Sequence, residues 1–352
     1  MTMQRITPAW LSRPSVLQVL ALFGSDPVCF VGGCVRDGLI GKIPRDYDLA
    51  TSLESAEVLA RIQQRGIRWI VGHPDFPITK IEVDGDIFDI CSLPQLKYVK
   101  PQAEFEGWVK RYLSTFDFTI NALALFPNGA LADDFGAIHD IANQQIKFMD
   151  AQAQISDVLK RSPNRIVRYF RFASTHGKGQ FDPAILEQLR AGAPLLAKEY
   201  PEYLYNQMTR LLDIDSPFEA LSLMHQQDIL PHALGFQLDS LAALEKLRSI
   251  EQALGKASHA NVRLLALLMQ AALPVDSALA HLAERWKMPK PIHKQLGNTL
   301  DASLAFDPAL TSEEMHQLKQ HVGEEAQRHG AMLRLLMEDE PLSALKSYQP
   351  YL

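Results

Sequence analysis

The chain has 352 residues, is 47% hydrophobic and 22% charged, and carries a formal net charge of −6. That length calls for two or three packed units, and the near-average composition excludes a disordered, collagen-like or coiled-coil chain. The negative balance argues against a globally basic nucleic-acid binder, so any such role must rest on local patches. Cys29, Cys34 and Cys91 are the only cysteines. They form neither a complete disulfide set nor a CxxC pair, which points away from a cysteine-type zinc site and towards a reducing cytoplasm. The eleven histidines show no metal-ligand spacing. No run approaches the roughly 20 apolar residues that span a bilayer, so no membrane partner is expected.

Near the start, residues 16–23 follow Arg5 and Arg13 and faintly resemble a signal peptide. Pro14 fits the first turn of a helix, Gln18 interrupts the apolar run and no small-x-small site follows Phe23, so an amphipathic helix is expected. Val28–Val31 is an apolar run ending in Gly32-Gly33, a buried strand leaving into a turn. Residues 46–51 alternate polar and apolar, as a half-buried strand does, and a helix over 54–64 follows Thr51-Ser52 as caps. Residues 78–83 and 86–90 flank Asp84-Gly85, which supplies the positive φ angles of a type I′ hairpin. Asn128-Gly129 repeats that device between 123–126 and 130–132. From about residue 155 strand signals vanish. Helices are expected at 158–175, 183–189, 203–212, 217–227, 241–254, 261–272, 275–286 and 312–336. The prediction is an α+β fold, with a mixed-sheet head over 1–150, a helical neck over 151–235 and a helical body and tail over 236–352.

The residues with most chemistry are Gly32, Gly33, Arg36, Asp46 and Asp48. Two glycines between strand and helix let backbone N–H groups approach an anion, and the helix N-terminus adds its positive dipole end. Arg36 offers a fork of donors to a phosphate. Asp46 and Asp48, at i and i+2 of a strand, project from one face. Like charges so placed call for a cation, and hard oxygen ligands favour magnesium with phosphates completing its shell. Asp89, in the hairpin, is placed to be a third carboxylate for a two-metal site of phosphoryl or nucleotidyl transfer, or else an ordinary strand position.

Gly32-Gly-Cys-Val-Arg-Asp37, Gly41 and Asp46-Tyr-Asp48 resemble the first motif, GGxVRDxLLGxxxxDxD, of the class II tRNA nucleotidyltransferases and bacterial poly(A) polymerases. The similarity continues in Asp117-Phe-Thr-Ile-Asn-Ala-Leu123 against RRDFTINAL, in Asp133–Asp140 against DPfgGxxDL, and in Arg165–Phe172 against RxLRxxRF. It covers about residues 28–175 and weakens through the helices to about 295. The resemblance implies a polymerase-β-like nucleotidyltransferase head followed by an all-α neck, body and tail. It implies Asp46, Asp48 and Asp89 as ligands of two catalytic Mg2+ ions. The NTP triphosphate is then expected on Gly32, Gly33 and Arg36, with Asp117 and Asn121 shaping the ribose side; a helix cap and a turn amide are the plainer readings of those two.

Departures from the pattern are informative. The family's Glu-Asp-Pro-x-Arg stretch, whose Asp and Arg meet the base edges of CTP and ATP, is Arg161-Ser162-Pro163-Asn164-Arg165 here. A carboxylate accepts strongly from an exocyclic amino group, a serine hydroxyl weakly, and arginine only donates. Selection of C and A is therefore expected to weaken by about 1–3 kcal/mol per lost contact. The Arg-Arg before DFT is Thr115-Phe116, an Arg common after the third carboxylate is Pro94, and Tyr203 and Gln207 stand where Arg and Glu are common. Met269-Gln270 replaces a metal-binding His-Asp pair of some relatives, so no phosphohydrolase activity is expected.

For RNA, residues 158–181 hold no acidic side chain after Asp157. Arg161, Arg165 and Arg168 at i, i+4 and i+7 share one helix face in this reading and, with Arg171 and Lys178, suit a nucleotide or RNA end as well as a solvated basic face. Lys97, Lys100, Lys110 and Arg111 around Tyr98 and Trp108 suit a single strand, or a loop covering the sheet edge. Arg285, Lys287, Lys290, His293 and Lys294 around Trp286 form a second basic patch. The expected activity is NTP-dependent extension of an RNA 3′ end, tRNA or tRNA-like, with altered base choice. A non-catalytic RNA-binding paralogue and a transferase acting on a protein or small molecule remain alternatives.

Overall fold

The computed structural model describes residues 4–75, 77–96, 104–149, 155–338 and 341–352. The chain divides into two units, residues 1–151 and 152–352.

In the first unit the apolar and alternating runs build strands β1 (Gln4–Arg5), β2 (Val28–Val31), β3 (Asp46–Thr51), β4 (Trp69–Val71), β5 (Ile78–Val83), β6 (Asp86–Ser92), β7 (Ala124–Leu125) and β8 (Ala130–Ala132). They form one mixed sheet in the order β1-β8-β7-β2-β3-β6-β5-β4. Only β3 and β6 pair in parallel, and their register sets Asp48 beside Asp89. The two sheet faces bury different clusters. Phe30, Tyr47, Leu49, Phe88 and Ile90 pack one core with Trp10, where Tyr47 stacks on Phe88 at 5.0 Å. Cys29, Val31, Ala50 and Cys91 pack the other with Val109 and Leu113. Strand alternation therefore assigns Asp46, Asp48 and Asp89 to this second face.

The hairpin at Asp84-Gly85 forms as expected, with φ of 51° and 81°. At Asn128-Gly129 the hairpin forms but the turn differs. Only Gly129 is left-handed, at 85°. Gly129 N–H donates to Phe126 O and Phe126 N–H to Ala130 O, both at 2.9 Å. Asn128 Oδ1 accepts from Ala130 N–H at 2.9 Å, so a type I turn with a glycine bulge replaces the type I′ form. Thr51 is not a helix cap either. It ends β3, donating to Pro27 O at 2.8 Å and accepting from Leu53 N–H at 3.2 Å, while the helix Ser55–Gln64 starts behind Glu54 without a side-chain cap.

The second unit is helical in its described residues. Most expected helices are present, and two expected long ones are broken. The 158–175 stretch is Ile155–Arg161 and Arg165–Thr175, because Pro163 lacks an N–H and disfavours helical geometry at Ser162. The 312–336 stretch is Ser312–Val322 and Glu324–Leu336, parted at Gly323 with φ of 90°. A 16-residue helix, Lys290–Ala305, was not anticipated. Its prolines look like breakers in sequence, yet Pro291 sits in the first turn, where no N–H is needed. Gly330 lets this helix touch Glu324–Leu336, since a Cβ there would lie 2.5 Å from Ala302 Cβ. Residues on the two sides of position 235 are joined by hydrogen bonds. Trp286 Nε1 donates to Ala233 O at 3.0 Å, and Arg285 Nε donates to the same oxygen at 3.2 Å.

Candidate active site

The glycine turn comes first in building the site. Val28–Val31 runs into Gly32, whose φ of 78° and ψ of −136° suit glycine alone. Gly32 N–H donates to Leu123 O at 3.0 Å, tying the turn to the 117–123 segment. A Cβ on Gly32 would lie 3.3 Å from Phe116 Cε2 and 3.8 Å from Asp48 Oδ2, so the turn passes directly over that carboxylate. Gly33 differs. A Cβ there would meet only the Arg36 guanidinium, nearest at Nη2 at an ordinary 3.5 Å. Gly32→Ala is thus expected to cost about 1–2 kcal/mol of stability, read as a lower urea midpoint, with Gly33→Ala the milder change.

Arg36, expected to reach for phosphate, is buried and committed inside the protein. Its Nη2 pairs with Asp37 Oδ1 at 2.7 Å, and its Nη1 donates to Asn121 Oδ1. Asn121 Nδ2 in turn donates to Asp117 Oδ1 at 3.0 Å, which also accepts Phe118 N–H at 2.9 Å. These buried side chains form one network beneath the glycine turn, so Arg36 braces the turn from within. A second set of contacts supports the same segment. Asp140, 3% exposed, accepts from Thr119 Oγ1 and Lys147 Nζ, each at 2.6 Å. Asp133 receives the N–H groups of Ala137 and Ile138 at 2.7 and 3.0 Å, capping the helix Ala137–Ala142. Asp133 and Asp140 are the supports that sequence reasoning passed over, although both stood in a quoted motif.

Asp46 is exposed, whereas Asp48 and Asp89 are half-buried. Asp89 Oδ2 lies 2.9 Å from Lys80 Nζ, its neighbour on β5. Asp89 Oδ1 is buried with no hydrogen-bond partner. An unmet carboxylate oxygen next to two further carboxylates is the donor set a hard divalent cation takes, so these residues fit magnesium. The three do not close to within 4.8 Å of one another; among the described residues only a His-Glu-His trio in the helical unit does so. Cys34 lies close by, its Sγ 3.7 Å from Asp48 O. Burial, with the Asp48 charge adding, raises its pKa, so this thiol stays protonated and is no nucleophile.

Residues 28–147 match the family described as the Poly A polymerase head domain. A CCA-adding enzyme of Streptococcus suis is 29% identical over 194 residues, 53% of this chain and 45% of that one. A CC-adding tRNA nucleotidyltransferase of Geobacter sulfurreducens is 30% identical over 210 residues, 57% of this chain and 44% of that one. Residues 28–147 therefore belong to the Poly A polymerase head-domain family. The matched stretch spans about half the length of these curated relatives. The solved structure of a Thermotoga maritima CCA-adding enzyme complexed with tRNA shares the fold with a TM-score of 0.65. That likeness covers 99% of this chain and 86% of that one, at 18% identity.

The arginine cluster is organised differently from the expectation. Arg161 ends one helix and Arg165 opens the next, so the three arginines do not share a helix face. Arg165, Arg168 and Arg171, three apart, follow one side of Arg165–Thr175 instead. Arg168 and Arg171 guanidinium carbons lie 5.3 and 4.2 Å from the Phe172 ring centroid, which fixes both. Lys178 is exposed in a left-handed turn, φ 49°. Ser162 Oγ bonds Asn164 Oδ1 at 3.1 Å, and Glu199 Oε2 accepts Asn164 N–H at 2.7 Å. Glu199 thus caps the helix carrying the arginines, a long-range contact with no local sequence signal.

Of the other basic groups, Lys97, Tyr98 and Lys100 lie outside the described residues. Lys110 and Arg111 are on a helix, Phe105–Leu113, not in a loop, and Lys110 pairs with Asp134 at 2.8 Å. Trp286 is fully buried and Arg285 donates to the His232 and Ala233 carbonyls, so neither belongs to a surface patch. Lys287, 3.8 Å from Glu202, and Lys290 remain exposed with His293 and Lys294.

Proposed function

We propose that this family member is a magnesium-dependent nucleotidyltransferase that adds nucleotides from NTP to the 3′ end of an RNA, tRNA or tRNA-like. The observation that carries the reading is the parallel register of β3 and β6. It sets Asp48 beside Asp89 on the sheet face that also bears Asp46, with the Gly32 turn so close that a Cβ added there would lie 3.8 Å from Asp48 Oδ2. Asp46, Asp48 and Asp89 are the residues to hold Mg2+, which when bound neutralises charge on the triphosphate and favours ionisation of the attacking hydroxyl. Gly32 and Gly33 receive the triphosphate through backbone N–H groups and the helix end. Arg36, Asn121 and Asp117 keep that turn in shape. Arg165 and Arg168 add positive charge for the nucleotide, while Arg161, Arg171, Lys178, Lys287 and Lys290 contribute phosphate contacts to RNA. The chain's similarity to CCA-adding and CC-adding tRNA enzymes supports the acceptor class. Buried free cysteines suit a reducing cytoplasm, and no described helix is long and apolar enough to cross a membrane.

The same reading includes altered base choice, because Arg161-Ser162 brings no carboxylate to the base-reading stretch. Incubation with each labelled NTP, Mg2+ and total RNA, followed by sequencing of product ends, tests activity and acceptor together. Extended tRNA ends support the reading; label on protein or small molecules, or none, contradicts it. Arg161→Glu with Ser162→Asp is expected to sharpen discrimination for CTP and ATP over the other NTPs by about 1–3 kcal/mol in kcat/KM ratios.

A further inference from the structure

His259, Glu325 and His329 each bring a ligand atom within 4.8 Å of the others. Glu325 and His329 stand four residues apart on the helix Glu324–Leu336, one above the other. His259 is the N-cap of Ala260–Leu268. The two imidazoles stack, with centroids 5.0 Å apart and planes at 21°. His329 Nδ1 is buried and has no hydrogen-bond partner, which is costly for a ring nitrogen unless something binds there.

We propose that His259, Glu325 and His329 form a divalent-metal site of the zinc class that clips these two helices together. Two imidazoles and one carboxylate suit borderline zinc, whereas magnesium prefers all-oxygen shells. Three protein ligands leave a fourth position for water. Ligand atoms around a tetrahedral ion lie roughly 3.3 Å apart, so loading draws the trio inward by a modest side-chain movement. His259 Nδ1 accepts the Asn261 N–H at 3.2 Å. Metal either takes that lone pair or binds Nε2 after the ring changes tautomer, and both routes displace the cap contact. Lys256 and Arg328 also face His329, and their charge opposes the cation that Glu325 attracts. An exposed, competed site of this kind binds reversibly. It lies in the helical unit and is independent of the nucleotidyl-transfer reading.

The test uses the full-length chain stripped with chelator, then titrated with Zn2+ against a chromophoric competitor and with Co2+ by visible absorption. One equivalent of Zn2+ is expected to bind, raise the thermal midpoint and give imidazole-type tetrahedral Co2+ bands. His329→Ala and His259→Ala are each expected to weaken Zn2+ at least about tenfold, while Asp48→Asn leaves it unchanged. Exposed Glu325→Gln, which keeps the fold, carries the test should a histidine variant unfold. Absent Zn2+ binding, equal stabilisation by Mg2+, or full binding in the Glu325→Gln and histidine variants overturns the site.

Discussion

Asp48→Ala is expected to lower kcat by at least about a thousandfold while leaving the protein folded. The carboxylate is half-buried at the site end of a strand whose neighbours, Tyr47 and Leu49, carry the packing on the opposite face. Its removal therefore deletes the proposed metal ligand and a charge without opening a core cavity. Single-turnover assays on a tRNA-like transcript measure the loss, and far-UV circular dichroism with the urea midpoint measures the fold. Near-normal turnover in a folded variant would contradict the assigned role. A variant that loses turnover only because it unfolds would leave the carboxylate a structural residue, against the account.

The largest expected effect on stability falls on Arg263, far from that chemistry in sequence. Its side chain is 1% exposed. Nε and Nη2 bond the Glu251 carboxylate at 3.0 and 2.8 Å. Nη1 donates to Leu212 O at 2.7 Å and Ile214 O at 2.5 Å, and Nη2 to Asp215 O at 3.0 Å. Every donor of the guanidinium is used, and three chain segments meet on it. Arg263→Ala leaves Glu251 as a buried charge without its partner and strips three carbonyls of donors, so a loss of about 3–5 kcal/mol is expected in urea unfolding. The paired change Arg263→Met with Glu251→Leu is expected to recover part of that loss, because it removes both charges and refills the space. Equal destabilisation by the single and paired variants would show that packing, not charge burial, sets the cost.

The head was legible where local patterns decide. Alternation at 46–51, the Asp-Gly turn and the glycine pair each follow from short-range backbone chemistry, and each formed with its expected limits or close to them. The Asp48–Asp89 pairing was not contained in any local pattern. It depends on a parallel ladder between segments about forty residues apart; the hairpin offered Asp89 as a third carboxylate and the family resemblance agreed, but neither fixed the register. Arg36 shows the converse difficulty. A helix-start arginine beside glycines looks like a phosphate ligand, yet Asn121 and Asp37, one of them distant in sequence, turn its guanidinium inward.

Proline was the main source of error among the helices. Pro163 breaks the helix expected over 158–175, whereas Pro291 lies in the first turn of Lys290–Ala305, a helix that was not among those expected. Position separates the two cases: Pro163 precedes the N-cap Asn164, whereas Pro291 lies in the first helical turn, where its missing N–H costs nothing. The histidines teach the same lesson. The Glu325–His329 spacing of four was present in the sequence, but the third ligand comes from a different helix and has no local signal.

Calorimetric titration of ATP and CTP into the protein, in Mg2+ and again in EDTA, tests the central assignment most directly. The account predicts binding in Mg2+ that weakens at least about tenfold, 1.4 kcal/mol, in EDTA and is likewise weakened in Asp46→Asn/Asp48→Asn. Nucleotide binding of equal strength in EDTA, or none in either buffer, would contradict a metal-and-triphosphate site formed by these carboxylates and the glycine turn.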